Sequence, residues 1–265
     1  MGETPSFFMP IEETRRRIKG ADENRNYFVP QQRRAKDLIE GECSVQCPNV
    51  HGWIERKLTQ IEIDHINKCI DDKDSKTFNH SLAGNISASY EIFDKENKFY
   101  NKTLIPLIDV YEKNFGASIT KKIPINTRAP MYLERMWVNY QYQHEFNPTH
   151  DHTGLYSFVI WINIPTDYEH QANIKHQKET NAPKADHFQF QFVDILGDSI
   201  STDYALSKGA EGMMLFFPSK LKHQVYPFYD NDGERISVSG NISLDTERAA
   251  RERYGSNLST SMNNI

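Results

Sequence analysis

Alternation of apolar and polar residues dominates the second half of the chain and limits what it can fold into. Over residues 187–193, phenylalanine alternates with histidine and glutamine. Successive side chains of a β-strand point to opposite faces, so this period of two predicts a strand. Residues 157–164 and 235–244 alternate in the same way, 131–142 is rich in aromatic residues, and 212–217 is a short apolar run. Together these runs predict several short strands packed as a sandwich or jelly roll.

Two amphipathic helices are predicted before these strands. Apolar residues recur at mostly helical spacing from Leu58 to Ile70, and again from Leu104 to Phe115. The pattern changes to that of strands after Gly116. The predicted fold class is therefore mostly β with α: a double-stranded β-helix (jelly roll) with N-terminal helices packed on one sheet.

Composition along the chain divides it into three regions. Residues 1–55 are polar and contain several prolines, which predicts an extended N-terminal arm. Residues 56–245 form the predicted jelly-roll domain, including its N-terminal helices. Residues 246–265 form a polar C-terminal tail. We expect any oligomer or larger assembly to form through residues 1–50.

Charge and hydropathy exclude some classes of partner. The net charge is −5, with 36 acidic and 31 basic residues, and it is spread along the chain. This balance gives no strong signal for nucleic-acid binding, which requires a basic patch. No apolar run approaches the ~20 residues of a membrane helix, and the N-terminus lacks a signal-peptide pattern. Three cysteines, an odd number, favour free thiols in a reducing compartment. We therefore expect a cytoplasmic protein with no membrane partner.

The stretch NPTHDHTG places two histidines around a carboxylate. If it is extended, His150 and His152 share one face and Asp151 points the other way. Two imidazoles in this arrangement can take adjacent positions on one metal ion. His223, which follows an apolar run, is the predicted third ligand. The alternative is a local kink that brings Asp151 to the metal in place of His152.

The strand predicted at 235–244 carries a polar row on one face, which indicates that this face meets water or a ligand. The row begins with Arg235 and Ser237 and continues at every second position. Arginine binds a carboxylate through two parallel hydrogen bonds, and a hydroxyl two residues on can add another. These two residues are therefore the predicted carboxylate-binding pair.

The order His-X-His, distant His, Arg-X-Ser resembles that of the iron(II)- and 2-oxoglutarate-dependent oxygenases, and in particular of a group found in marine phages and bacteria. The resembling segments are Ser81–Ile86, Trp137–His152, Ser157–Pro165 and Gly212–Leu244. The commonest family pattern has an aspartate where this chain has His152.

The resemblance implies an oxygenase, a hydroxylase of unknown substrate, with Fe(II) on His150, His152 and His223. It also implies 2-oxoglutarate on Arg235 and Ser237. The substrate would be a small molecule or a peptide. For a phage-encoded protein the location would be the host cytoplasm or the virion.

Two other functions remain open from the sequence. A cupin-like metalloprotein that does not use 2-oxoglutarate would also suit three histidines, with Arg235 binding a substrate carboxylate. A non-catalytic phage structural or assembly jelly-roll module would suit the N-terminal arm. For the oxygenase, we expect residues 166–186 to form a mobile segment that closes the pocket.

Overall fold

The structure of the chain, a computed structural model, describes residues 51–73, 77, 79, 84–115 and 129–254. Residues 1–50 of the predicted arm and 255–265 of the predicted tail lie outside the described residues. The domain boundaries at 55 and 245 therefore stay predictions. Within the described ranges, no helix is long and apolar enough to cross a membrane.

Within the described ranges, ten strands form two antiparallel sheets. The strands are β1 Ile54–Lys57, β2 Ala88–Ile92, β3 Met131–Gln141, β4 Asn147–His150, β5 Tyr156–Asn163, β6 His187–Val193, β7 Ser199–Ala205, β8 Met213–Pro218, β9 Lys222–Val225 and β10 Arg235–Leu244. The large sheet has the order β1-β8-β5-β10-β3-β2, and the small sheet has the order β4-β9-β6-β7. Apart from the pairs β2/β3 and β6/β7, neighbouring strands are not consecutive in the sequence, as in a jelly roll. The predicted fold class, mostly β with α, is confirmed.

Helices precede, interrupt and follow the strands. They are α1 Gln60–Asp71, α2 Ile105–Phe115, α3 Tyr168–Asn173, α4 Lys175–Lys178 and α5 Thr246–Tyr254, with a π-helical turn at Tyr100–Leu104 that leads into α2. Helix α1 is capped by Thr59, whose hydroxyl accepts from the Glu62 amide while the Glu62 carboxylate accepts from the Thr59 amide. This reciprocal capping box pairs two amide groups that a helix start would otherwise leave unpaired.

One face of the large sheet is covered by α1 and α2. The Tyr111 ring lies 5.2 Å from the ring of Tyr156 and 6.2 Å from that of Phe216. The apolar cluster between helices and sheet includes Ile66, Cys69, Ile70, Leu104, Leu107, Ile108, Phe158, Ile160, Met214, Val238 and Ile242. Each large apolar side chain buried here stabilises the fold by roughly 1.5–3 kcal/mol. This cluster is the main core of the described domain.

Strand β10 has two faces with different surroundings. Val238 and Ile242 are fully buried in the helix-side core. The alternate residues Arg235, Ser237, Ser239 and Asn241 line a cavity. The polar row predicted from the sequence therefore meets an internal cavity on the side of the large sheet that α1 and α2 leave uncovered.

Candidate functional site

A cavity of about 270 Å³ lies between the two sheets. The large sheet contributes the polar row of β10 together with Trp137, Asn139, Gln141, Val159 and Trp161. The small sheet and the turn after β4 contribute His150, Asp151, His152, Phe188, His223 and Val225. The histidines and Arg235, predicted as site residues from distant parts of the sequence, thus line the same cavity.

The three predicted histidines come together at one wall of this cavity. His150 and His223 lie directly opposite each other in the antiparallel pairing of β4 and β9. His152 lies just beyond the end of β4, and its Nε2 is 3.0 Å from Nε2 of His223. Each histidine offers one ring nitrogen, and these three atoms all lie within 4.8 Å of one another. Three imidazole nitrogens at this spacing fit one divalent metal ion.

Backbone carbonyls hold two of the rings in a ligating orientation. Nδ1 of His150 donates to the Pro148 carbonyl at 2.6 Å, and Nδ1 of His223 donates to the Leu221 carbonyl at 2.9 Å. A carbonyl oxygen only accepts, so the proton of each neutral ring is on Nδ1. Nε2 therefore presents a lone pair to the centre of the cluster. Outer hydrogen bonds of this kind orient histidine ligands in metal sites.

Burial keeps the three rings neutral at physiological pH. Loss of solvation lowers the pKa of His152 to about 3, with proximity to His150 as a smaller cause. Burial also lowers the pKa of His150 and holds that of His223 well below its usual value. His223 is surrounded by aromatic rings, with the Phe217 and Phe188 rings centred 5.0 and 5.6 Å from its own. A neutral imidazole is the form that binds a metal.

The Asp151 carboxylate is held by two lysines. It lies 3.2 Å from Lys220 Nζ and also forms an ion pair with Lys222. These two ammonium groups, Lys222 first, hold the pKa of Asp151 below its usual range. The backbone amide of His152 donates to the Ser219 carbonyl at 2.9 Å, which fixes the chain just after Asp151. The structure thus brings His152, and not Asp151, into the cluster.

The Arg235 guanidinium is buried and has three polar partners. Nε donates to Gln141 Oε1 at 3.2 Å, and Nη2 donates to the Tyr226 carbonyl at 2.8 Å. Nη1 forms an ion pair with Asp186, whose side chain is also fully buried. A guanidinium has five N–H groups, so two remain beyond these contacts with the described residues. Arg235 is therefore part of a structural ion pair and also lines the cavity.

Ser237 lies two residues further along β10 and lines the same wall. Beyond it the wall is built of neutral polar groups in mutual contact. Ser157 donates to Asn241 Oδ1 at 2.9 Å, and Ser89 donates to Asn139 Oδ1 at 2.7 Å. These hydrogen bonds fix the polar side chains in place, so this part of the wall offers oriented donors and acceptors.

The segment 166–186 has structure of its own. It contains α3 and α4, and the buried Gln171 side chain makes two hydrogen bonds, at 2.7 and 2.9 Å, with backbone groups of Tyr229. The residues that line the cavity come from outside this segment. Its predicted role as a mobile closing segment stays a prediction.

A sequence-family comparison bears on this site. Residues 135–241, less than half of the chain, match a protein-family model described as "Putative 2OG-Fe(II) oxygenase". This part of the chain resembles the iron(II)- and 2-oxoglutarate-dependent oxygenases. The matched range contains the three histidines, Arg235 and Ser237. The predicted resemblance to these oxygenases is confirmed, and the match implies Fe(II) and 2-oxoglutarate as cofactors.

Comparison with solved structures gives matches of low similarity. A prolyl-4-hydroxylase from Pseudomonas putida is 13% identical, with a TM-score of 0.40 over 73% of this chain and 93% of its own. A viral collagen prolyl hydroxylase from Paramecium Bursaria Chlorella virus-1, solved as a 2OG complex, is 14% identical, with a TM-score of 0.40 over 72% and 94%. No curated protein sequence matches the chain.

Sequence reasoning missed Asp186 and its hydroxyl partner. Asp186 lies immediately before β6, and its second carboxylate oxygen accepts from Thr166. An aspartate at the end of a polar loop is common in turns, so its type and position gave no signal. Only the contact with Arg235, which is 49 residues away in the sequence, assigns it to the site.

Proposed function

We propose that this chain is an iron(II)- and 2-oxoglutarate-dependent oxygenase that hydroxylates a small molecule or a peptide. His150, His152 and His223 hold the metal ion, and Arg235 with Ser237 holds the distal carboxylate of 2-oxoglutarate. The observation that carries this proposal is the convergence of three histidine ring nitrogens, within 4.8 Å of one another, on one wall of the cavity that Arg235 also lines.

The donor set fits iron(II). Imidazole nitrogen is a good ligand for this metal, and three ligands on one side leave coordination positions open toward the cavity. Two of the rings already carry the backbone hydrogen bonds that direct Nε2 inward. When bound, iron and 2-oxoglutarate supply the oxidative chemistry, and the protein supplies position and surroundings.

The chain's own residues orient the co-substrate and exclude water. Arg235 is rigid because Gln141, Tyr226 and Asp186 hold its guanidinium. The remaining N–H groups can meet a carboxylate in a defined direction, and the Ser237 hydroxyl adds a donor from the same strand. Phe188, Phe217 and Trp137 lie beside the histidines and keep this end of the cavity apolar. A dry site strengthens each of these electrostatic contacts.

The size of the cavity favours a substrate that inserts only its reacting group. Ligand pockets that enclose a whole drug-sized molecule are about 300–1,000 Å³. At about 270 Å³, this cavity has room for the co-substrate and for one side chain or a comparable group. A peptide side chain or one end of a small metabolite would satisfy this limit.

Anaerobic titration of the full chain with Fe(II), followed by 2-oxoglutarate, tests the proposal. We expect a weak visible charge-transfer band that develops only when both are present. His223→Ala should abolish the band by removing a metal ligand, and Arg235→Ala should abolish it at the same co-substrate concentration.

The matched control is Asp151→Asn, which changes the carboxylate between the two histidines and should retain the band. Metal binding without a band in the wild type would instead indicate a metalloprotein that does not use 2-oxoglutarate. No metal binding at all would contradict the proposal outright.

A further inference from the structure

In the function proposed above, the ion pair between Arg235 and Asp186 serves only to hold the guanidinium in place. The Arg235 side chain is 1% exposed and that of Asp186 is 0% exposed. A carboxylate removed from water to this degree is retained only where cations and donors compensate it. Here it contacts the one guanidinium that would bind the co-substrate.

The position of Asp186 is set by its backbone. Its φ is +59°, and its amide donates to the Pro227 carbonyl at 2.9 Å. Its own carbonyl accepts from the Leu206 amide, also at 2.9 Å. Thr166 donates to the carboxylate oxygen that does not meet Arg235. The carboxylate is therefore fixed, and a ligand cannot displace it without breaking several contacts.

The metal ligands contain no carboxylate. In sites with two histidines and one carboxylate, that acid cancels one charge of the divalent ion. Three neutral imidazoles cancel none. A divalent cation, the Arg235 guanidinium and dianionic 2-oxoglutarate would together carry one net positive charge. Asp186 contributes a negative charge that balances these three groups.

We propose that Asp186 is a positioning residue that shares Arg235 with the distal carboxylate of 2-oxoglutarate and thereby sets the affinity of the site for dicarboxylate keto acids. The empty cavity keeps Arg235 paired and oriented. The loaded cavity places two carboxylates on one guanidinium, so part of the attraction for the ligand is offset by repulsion from Asp186. This inference rests on the proposed function.

Asp186→Asn tests the inference because it removes the charge and keeps the shape. The amide oxygen can still accept from Arg235, and the Thr166 hydroxyl can accept from the amide nitrogen. With its guanidinium no longer neutralised, the site should bind 2-oxoglutarate about ten-fold more tightly, since close charge pairs couple by more than 1.4 kcal/mol.

The measurement is calorimetric titration of the full chain loaded with Mn(II), using two keto acids. One is 2-oxoglutarate. The other is 2-oxovalerate, which has a methyl group in place of the distal carboxylate. We expect Asp186→Asn to tighten the binding of 2-oxoglutarate by about ten-fold and that of 2-oxovalerate by less than about two-fold. A purely structural role for Asp186 would change both affinities together or weaken both.

Thr166→Val is the control that keeps the charge and removes the hydroxyl from Asp186. It should not tighten 2-oxoglutarate binding, because the carboxylate then depends more on Arg235. Tighter 2-oxoglutarate binding by Thr166→Val, or unchanged affinity of Asp186→Asn, would overturn the inference. Binding of 2-oxoglutarate by the wild type would leave the proposed function intact. If neither the wild type nor Asp186→Asn bound 2-oxoglutarate, both would fail.

Discussion

The two faces of strand β10, formed by alternating residues of the same strand, have different functions. Val238 and Ile242 are surrounded by the apolar cluster under α1 and α2, where burial of apolar surface stabilises the fold. Arg235 and Ser237 face the cavity, where polar and charged groups are oriented toward a ligand. The apolar face tolerates changes that conserve volume, whereas the polar face depends on particular donor atoms. Substitutions on the two faces should therefore separate stability from ligand binding.

The largest effect is expected at Arg235, which contributes both to stability, through its ion pair with Asp186, and to ligand binding. Arg235→Met leaves the buried Asp186 carboxylate without its cation, and breaking a buried pair in this way costs about 3–5 kcal/mol of unfolding free energy. Urea denaturation measures this loss. The double variant Arg235→Met/Asp186→Leu should recover most of the stability but none of the 2-oxoglutarate binding. A double variant that still bound the co-substrate would show that Arg235 does not hold it.

A change on the apolar face should affect stability alone. Ile242 is fully buried, so Ile242→Ala should lower the free energy of unfolding by about 2–5 kcal/mol through lost burial and a residual cavity. Urea denaturation and Mn(II) titration of the folded variant would give the two readouts. The affinity for the metal ion should stay within about two-fold of wild type. A parallel loss of metal affinity would mean that the two faces are coupled.

Ser237→Ala should weaken ligand binding and leave stability nearly unchanged, the reverse of Ile242→Ala. The hydroxyl lines the cavity beside the helix-side residue Val238. Loss of one hydrogen bond to a charged carboxylate costs about 1.5 kcal/mol, or roughly a ten-fold weaker affinity for 2-oxoglutarate. Stability should change by less than about 0.5 kcal/mol. Calorimetry with 2-oxoglutarate provides the test. A loss of stability without a loss of affinity would contradict the role of Ser237 in binding the carboxylate.

The smallest effect is expected from labelling Cys69, whose thiol reports whether water reaches the core between the helices and the large sheet. Burial raises the pKa of Cys69, on α1, to about 11, with Asp94 as a smaller cause. Below that pH the thiol is neutral, so at pH 8 alkylation should be roughly 200-fold slower than for an exposed cysteine with a pKa near 8.5. Iodoacetamide labelling in a Cys43→Ser/Cys47→Ser background, with and without urea, measures this protection. Rapid labelling of the folded protein would contradict a closed core.

The long strands could be predicted from the sequence because each carries its own pattern. The runs expected at 131–142, 157–164 and 235–244 are observed as β3, β5 and β10 with ends shifted by at most one residue. The short strands β1, β4 and β9 have four residues each, too few for a period of two to be distinguished from chance. They form through pairing with distant partners, as in His150 opposite His223, which no local pattern contains.

The site was partly predictable for a related reason. Histidines and an arginine at strand positions carry a chemical signal in the sequence itself, and the structure places those predicted residues around one cavity. Asp186 carries no such signal, because its importance comes from a contact with Arg235 made only in the folded chain. Asp151 shows the converse: its place between two histidines made it the alternative ligand to His152, whereas in the structure Lys220 and Lys222 hold its carboxylate.

The most direct test of the central claim, that the metal ion is held by three histidines, is the affinity for Fe(II) of two neighbouring variants. Anaerobic titration of His152→Ala and Asp151→Ala would compare an imidazole with a carboxylate one residue apart. We predict that His152→Ala weakens Fe(II) binding by about 100-fold or more, and that Asp151→Ala stays within about three-fold of wild type. Loss of Fe(II) binding in Asp151→Ala, with retention in His152→Ala, would contradict it.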